Sequence, residues 1–361
     1  MSQEQSVSRL LAVGRRVGDR AILVPTTDLT AVLVAERASA LQDWFVFPRL
    51  SPGLVRSLVN KREMHALAEL HGIPTAKTVF IRTKDDVLAF LDHAVLPIIV
   101  KGVDPLMRKG TLKVVVHTRS HLLEYFQRVT DSNLMLQEYI PGSDGAGWMF
   151  NGYFNQQSDC LVGFTGRKLR QYPAYAGVTS LGVCETNEWV EHTTKAFMKT
   201  LGYHGILDVD YCYDARDGRY KLLDVNPRVG ATFRLGVAEG GMDIIRSFYH
   251  DMSGRPASPP VALEGRKWML EEDVLSSLRA ARDGKLTFRG WVKSLRGVQE
   301  TAWFARDDLI PFLVWFWRYL IKPLTPVRSE GTHRVLPDVG LGKTPQGSPS
   351  AMPDQVRFRQ R

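Results

Sequence analysis

GILDVDYCYDARDGRYKLLDVNPRVG, residues 205 to 230, is the stretch on which the fold turns. In an extended strand, residues two apart share a face. Asp208 and Asp210 therefore point one way on the first strand, and Asp224, Asn226 and Arg228 do so on the next. YDARDGRY is a turn between two strands that most simply pair as a hairpin. In that hairpin the carboxylates of Asp210 and Asp224 meet, with the Asn226 amide oxygen beside them. An all-oxygen cluster suits Mg²⁺, which prefers carboxylates plus substrate phosphates to a full protein cage. Arg228 is the residue type that grips a phosphate or carboxylate in bidentate fashion. The rival reading is the solvated face of a surface hairpin, because LLDVN alternates apolar and polar as any half-buried strand does.

A second set of residues is positive. Lys101 ends the apolar strand PIIVKG, where an inward charge needs a partner or a ligand. Lys168 and Arg170 stand two apart in TGRKLRQYP and share a face if that stretch is extended. Each alone is equally a cation snorkelling from a strand end. Together, beside an acidic cluster, they fit a nucleoside triphosphate.

Outward from these residues, strands and helices alternate. Ala21–Thr27 reads as a strand, residues 28 to 41 as helical, and Trp44–Pro48 as a second short strand. Asn60 precedes a helix whose apolar face is Met64, Leu67, Ala68 and Leu70, stopped by Gly72 and Pro74. Strand 78–81, helix 84–91 and strand 97–102 follow, and LKVVVH (112–117) pairs naturally with PIIVK. A helix over 119–129 leads to the apolar strand LMLQEYIPG (134–142). MFNGYFN, CLVGFTGRK, ILDVDYCYD and RYKLLDVNPR are four further strands, split two and two by a helix over 188–201. The pattern predicts an α+β (mixed α/β) enzyme.

The 361 residues exceed one ordinary domain, and 44% hydrophobic with 24% charged composition excludes a fibrous or wholly disordered chain. Cys160, Cys184 and Cys212 form no CxxC pair, so no disulfide framework or structural zinc is expected. The net charge of +9 permits nucleic-acid contact, yet no basic run or aromatic–basic motif supports it. GLGKT (340–344) imitates the end of a phosphate loop, but Pro337 stands where its first glycine belongs and no strand precedes it. His117 and His121 straddle a strand–helix boundary rather than one helix face, and His71 and His204 are turn or cap residues. A cytoplasmic location is expected, as no leader opens the chain and the greasy run 309–321 is shorter than the roughly 20 residues that span a bilayer.

After Arg255 the texture changes. RPASPP is a linker, and about 60 residues beyond it hold five of the eight tryptophans (Trp268, Trp291, Trp303, Trp315, Trp317), so this segment must dock. LIPFLVWFWRYLIKP is expected to pack as a structural strap; peripheral contact of residues 309–322 with an anionic membrane is the less favoured alternative. The Pro/Gly/Ser-rich basic tail after Lys322 is expected to be disordered.

The order NKREMHALAELHGIPTAKT, PIIVKG, LMLQEYIPG, GFTGRKLRQYP and GILDVDYCYD…LLDVNPR resembles the ATP-grasp superfamily over about Val24 to Pro256. Within it, the chain is similar to carboxylate–amine ligases near carbamoyl-phosphate synthase and D-aspartate ligase. The resemblance implies a nucleotide clamped between two α+β subdomains, at 61–140 and 141–256, behind a partial pre-grasp domain at 1–60. An extension at 257–322 and a tail at 323–361 follow. It implies that Lys101 contacts ATP and that Gln137, Glu138, Tyr139 and Ile140 form the hinge beside the adenine. Lys61 and Leu223 complete the nucleotide contacts. Asp210, Asp224 and Asn226 match the magnesium (or manganese) positions. Arg228, Lys168 and Arg170 would face the transferred phosphate or the acceptor carboxylate. The implied reaction activates a small carboxylate as an acyl phosphate for an amine; a catalytically impaired ATP-binding module is the alternative.

Three departures from the family pattern stand out. Asp224 occupies a position usually filled by Glu, one methylene longer. The loop after Lys101 lacks a glycine-rich phosphate cover; Arg108, Lys109 and Lys113 either compensate or form a solvated basic loop. Only about 20 residues precede AILVPTTD, so a truncated pre-grasp domain, or a start methionine placed too late, is expected.

Overall fold

The computed structural model describes residues 2–107, 113–128, 133–141, 143–173, 177–255 and 263–321. The N-terminal part runs α1 (Gln3–Val17), β1 (Ala21–Ile22), α2 (Asp28–Glu36), α3 (Ala38–Leu41), β2 (Phe45–Val46) and α4 (Pro52–Val59). Here β1 and β2 pair in parallel, and the strands are shorter than the apolar runs suggest. Helix α2 starts at a capping box in which the Thr27 hydroxyl and Thr30 satisfy each other's backbone N–H groups.

Helix α5 (Lys61–Leu70) begins where Asn60 accepts hydrogen bonds from the N–H groups of Arg62 and Glu63. It ends at Gly72, whose φ of 67° lies in the left-handed region. Met64 and Ala68 are buried, but Leu70 is 76% exposed and leaves the face expected of it. Six residues past Met64 is well off the buried stripe at 3.6 residues per turn, and His65 takes the place in the interior.

The next segment holds β3 (Thr78–Phe80), α6 (Lys84–His93), β4 (Ile98–Gly102), β5 (Lys113–Val116), α7 (Arg119–Arg128) and β6 (Leu134–Glu138). Its strands form an antiparallel sheet in the order β3-β6-β4-β5. The pairing expected of PIIVK and LKVVVH is present, with Ile98 opposite Val116 and Lys101 opposite Lys113.

After the one-turn α8 (Ser143–Ala146) come β7 (Gly147–Phe154), β8 (Cys160–Tyr172), β9 (Val178–Cys184), α9 (Glu188–Thr200), β10 (Gly205–Asp214), β11 (Arg219–Asn226) and α10 (Ile244–Met252). The extension adds β12 (Lys267–Met269), α11 (Asp273–Arg282), α12 (Phe288–Leu295), β13 (Val298–Thr301) and α13 (Ile310–Ile321). A seven-stranded sheet has the order β11-β10-β7-β8-β9-β12-β13. Helix α9 covers one face through Val190, Phe197 and Met198, packed on Trp148, Phe150, Val209 and Tyr211. Strand β9 escapes the sequence reading because VTSLGVC carries small and polar residues, yet all but Val178 are buried in the middle of the sheet.

The Trp-rich extension docks, as its composition requires, and does so through backbone: β12 adds antiparallel to β9, and β13 adds parallel to β12. The anchor is Arg170. Lys168 pairs with Gly182 and Arg170 with Leu181, so one residue of β8 has no counterpart. This bulge breaks the alternation that was to put the two cations on one face. Arg170 instead forms a fork on Asp273, with Nε 2.9 and 3.0 Å from the two carboxylate oxygens. Its Nη1 donates to Ser294 Oγ at 2.8 Å. Asp273 is fully buried and also accepts from Ser180 Oγ at 2.8 Å. Removing one partner of a buried pair strands the other charge, so Asp273→Ala should lower the unfolding free energy by about 3–5 kcal/mol. Ser294→Ala should cost about 1 kcal/mol. Urea unfolding of the two variants checks the ranking.

Candidate active site

The hairpin of β10 and β11 sets Asp210 directly opposite Asp224 and Asp208 opposite Asn226. Between Asp210 and Tyr211 the register slips, leaving Leu223 without a cross-strand partner. The bulge allows Leu223 to pack on Ala76, Ile140 and Cys212, so an apolar cluster borders the acidic pair. On the same strand the Leu222 N–H donates to Pro74 O, in the segment between α5 and β3, at 2.8 Å.

Each acidic residue of the pair is held by a lysine from another element. Lys61 Nζ lies 2.7 Å from Asp224 Oδ1, and Lys168 Nζ lies 2.7 Å from Asp210 Oδ1. Lys61 sits at the start of α5, where the Asn60 cap fixes the first turn. Burial alone would raise the Asp224 carboxyl; Lys61 and Lys101 outweigh it and hold it below its ordinary value. Asp208 is pushed up to about 7, by burial first and by Asp210 second, against the pull of Arg228.

Facing this pair, Lys101 and Lys113 stand opposite each other on β4 and β5. Like charges directly opposite are unfavourable. Lys101 is buried and donates to Gln137 Oε1 at 2.7 Å. Burial, then Lys113 and Lys61, bring its ammonium down to about 7. Burial and the neighbouring Lys168 bring Lys113 down to about 8. Arg108 and Lys109 of the preceding loop lie outside the described residues. Lys113 thus belongs to the cationic wall, an alternative the sequence left open.

The expected hinge residues divide by role. Gln137 is buried and bridges Lys101 to Thr78 Oγ1, the latter at 3.1 Å. Glu138 takes the Lys77 N–H at 2.8 Å, Arg216 at 2.8 Å and Lys221 at 3.2 Å, which braces the small sheet against the hairpin. Tyr139 is half-buried, and Ile140 joins the apolar cluster with Leu223.

Arg228 is clamped between segments. Its Nε donates to Asp28 at 3.1 Å, Nη1 to Asp208 at 3.2 Å and Nη2 to the Asn226 amide oxygen at 3.1 Å. The Asn226 oxygen, a metal candidate by sequence, is therefore engaged by Arg228. Arg170 stands apart from this constellation, on Asp273.

Four residues went unread in the sequence. Asp28, at the first turn of α2, gives no signal until tertiary contact reaches Arg228. Asn151 donates to Asp208 Oδ1 at 2.8 Å and is buried within the apolar strand MFNGYF, a placement that itself marks a required partner. Thr232 donates to Asn151 Oδ1 at 3.0 Å. His65, one turn along α5 from Lys61, is held down to about 4 by burial and by Lys101 and Lys61, and its Nε2 has no partner among the described residues. Burial pushes the Cys160 thiol to about 12 and those of Cys184 and Cys212 to about 11, so none is a ready nucleophile.

Two carboxylates with lysines around them are too few for a closed metal cage. No group of three or more His, Cys, Asp or Glu side chains that could hold a metal occurs among the described residues. The donor set fits Mg²⁺, which completes its shell with water and phosphate oxygens.

The fold is that of the ATP-grasp superfamily, and the chain resembles the carboxylate–amine ligases within it. Over 245 residues, 64% of this chain, it is 25% identical to the D-aspartate ligase of Enterococcus faecium (strain Aus0004), and it spans 58% of that protein's length. Among solved structures it is similar to the N5-carboxyaminoimidazole synthetase of Staphylococcus aureus, with a TM-score of 0.58 at 10% identity, over 77% of this chain and 72% of that one. The biotin carboxylase domain of Hydrogenobacter thermophilus 2-oxoglutarate carboxylase, crystallised with MgADP, ADP and bicarbonate, gives 0.57 at 14%, over 72% and 60%. The L-amino acid ligase of Bacillus licheniformis gives 0.53 at 15%, over 74% and 65%. No protein-family model matches the chain.

The depressed lysines set a pH dependence. A lysine ordinarily titrates at 10.5, and burial with the neighbouring Lys113 and Lys61 brings Lys101 down to about 7. The unfolded chain then binds the extra proton between those values, so this residue's contribution to stability rises with pH across that window. A polyphosphate reverses the shift by favouring the ammonium. ATP binding at about pH 8 should therefore take up protons, and affinity should fall as pH rises above about 7. Calorimetry in buffers of different ionisation enthalpy reads the uptake, and Lys101→Met should diminish it.

Proposed function

We propose that this chain is a magnesium- and ATP-dependent ligase that joins a small carboxylate to an amine through an acyl phosphate. The observation that carries the reading is Asp210 opposite Asp224, faced by Lys61, Lys101, Lys113 and Lys168. Four cations around two carboxylates exceed what a structural ion pair needs, and two of them are desolvated and mutually repelling. A triphosphate with its metal balances that charge.

Asp210 and Asp224 would hold the magnesium, which when bound neutralises charge on the phosphate oxygens. The adenine would lie on Ile140 and Leu223, with the strand end Gln137–Ile140 beside it. Lys101 and Lys113 would take phosphate oxygens. Lys61 and Lys168, now paired to the aspartates, would turn to the phosphates as the metal takes their place. The substrate carboxylate attacks the γ-phosphorus and the bond to the ADP oxygen breaks, the charge spreading over oxygens that the lysines neutralise. The amine then attacks the acyl carbon and phosphate leaves. Arg228, fixed by Asp28 and Asp208, presents its remaining edge to the transferred phosphate or a substrate carboxylate. Arg170 would act only indirectly, by fixing β8 and with it Lys168.

The similarity to a D-aspartate ligase supports an amino acid as one substrate and makes D-aspartate the first to try. The reading as an ATP-binding module without turnover draws no support from that relative. ADP release from Mg-ATP with pooled amino acids and other carboxylates should depend on the pool and vanish in Asp224→Ala/Asn226→Ala. Lys101→Met should reduce turnover by about 10²–10³-fold, as expected for loss of one electrostatic contact to the transferred group. ATP binding with no pool-dependent ADP release would favour the binding module instead.

A further inference from the structure

Helix α13, IPFLVWFWRYLI, is strongly apolar, and it is unevenly covered. Phe312 and Trp315 dock it: the Phe312 ring meets Phe304 edge-on at 5.6 Å, and Trp315 Nε1 donates to Glu272 Oε1 at 3.0 Å. Both contacts lie within the extension itself. On the opposite side Ile310, Leu313, Val314 and Trp317 recur at i, i+3, i+4 and i+7 and thus share a face. They are 70%, 57%, 46% and 64% exposed. Phe316, at the margin, is 47% exposed. A row of this kind on one helix marks a contact surface rather than scattered exposure.

We propose that this face of α13 seats in the interface of an anionic lipid bilayer, lying on the membrane and not crossing it. Twelve residues of helix reach about 18 Å, short of the roughly 30 Å hydrocarbon core. No helix among the described residues is long and apolar enough to cross. Trp and Phe with Leu on one face, and arginine beside them, is the composition of an interfacial helix. Charge selects the partner. From Ile310 to Arg361 the chain carries eight Lys or Arg against three Asp or Glu, so this segment alone supplies +5 of the net +9. Anionic headgroups attract that charge. A second copy of the same segment, or the chain's own basic tail, would bring like charges onto the face.

Flotation of the full chain with phosphatidylglycerol–phosphatidylcholine vesicles tests the proposal against vesicles of phosphatidylcholine alone. The chain should float with the anionic vesicles, less so at high salt, and stay down with the neutral ones. Leu313→Glu and Trp317→Glu should each reduce the bound fraction by about tenfold, since each withdraws one large apolar side chain from the interface. Both residues are exposed, so their melting temperatures should match the wild type, which separates lost docking from lost folding. Arg318→Gln should weaken anionic binding by a few-fold, about what one cation near the surface contributes. A wild type that stays down with anionic vesicles overturns the proposal. If it is then dimeric by light scattering and Leu313→Glu is monomeric, the face belongs to a second copy. If it is monomeric, the tail covers the face. Equal flotation of wild type and both glutamate variants also overturns it.

Discussion

Everything at the site depends on one cross-strand pair. Asp210 and Asp224 are side by side because β10 and β11 pair in a register that makes them partners, and a one-residue slip would turn one of them to the opposite face. The slip that does occur lies on the turn side of the pair, at Leu223, and so leaves the carboxylates together while shifting the residues between them and the turn. The same irregularity packs Leu223 on Ile140 and Cys212. The acidic pair and the apolar cluster beside it therefore arise from one local feature of the hairpin.

Two like charges opposed on β4 and β5 run against the usual preferences of a sheet. Burial, then Lys113 and Lys61, lower the Lys101 ammonium, and burial with Lys168 lowers that of Lys113. Across the cleft, Lys61 pairs with Asp224 and Lys168 with Asp210. Glu138 with Arg216 and Lys221, and Arg228 with Asp28 and Asp208, form a second tier that fixes the hairpin to its neighbours.

The extension after residue 262 has two characters. Strands β12 and β13 continue the large sheet and are locked to it by the buried Arg170–Asp273 fork, which makes them part of the body of the fold. Helix α13 hangs from the same body by one side only. Arg170 belongs to the joint between β8 and the extension.

Local chemistry sufficed for much of this protein. The alternation of LDVD and LLDVN, the turn DARDG between them and the cap at Asn60 each act over a few residues, so the acidic hairpin and α5 are legible in the sequence. So is Lys101, because a charge closing an apolar strand is conspicuous. The apolar face of α5 was half legible: period alone does not say how wide the buried stripe is, and Leu70 fell outside it. Other features needed the assembled fold. The bulge at Leu169 changes the face of Arg170 and depends on how β8 meets β9. Strand β9 has too few apolar residues to announce itself and is buried by its neighbours. Asp28 meets Arg228 across 200 residues of chain, and Lys113 meets Lys101 through sheet register. Short-range propensity and spacing determined which residues were available for the site. Long-range pairing decided which of them face one another, because register and bulges are set only when distant strands come together.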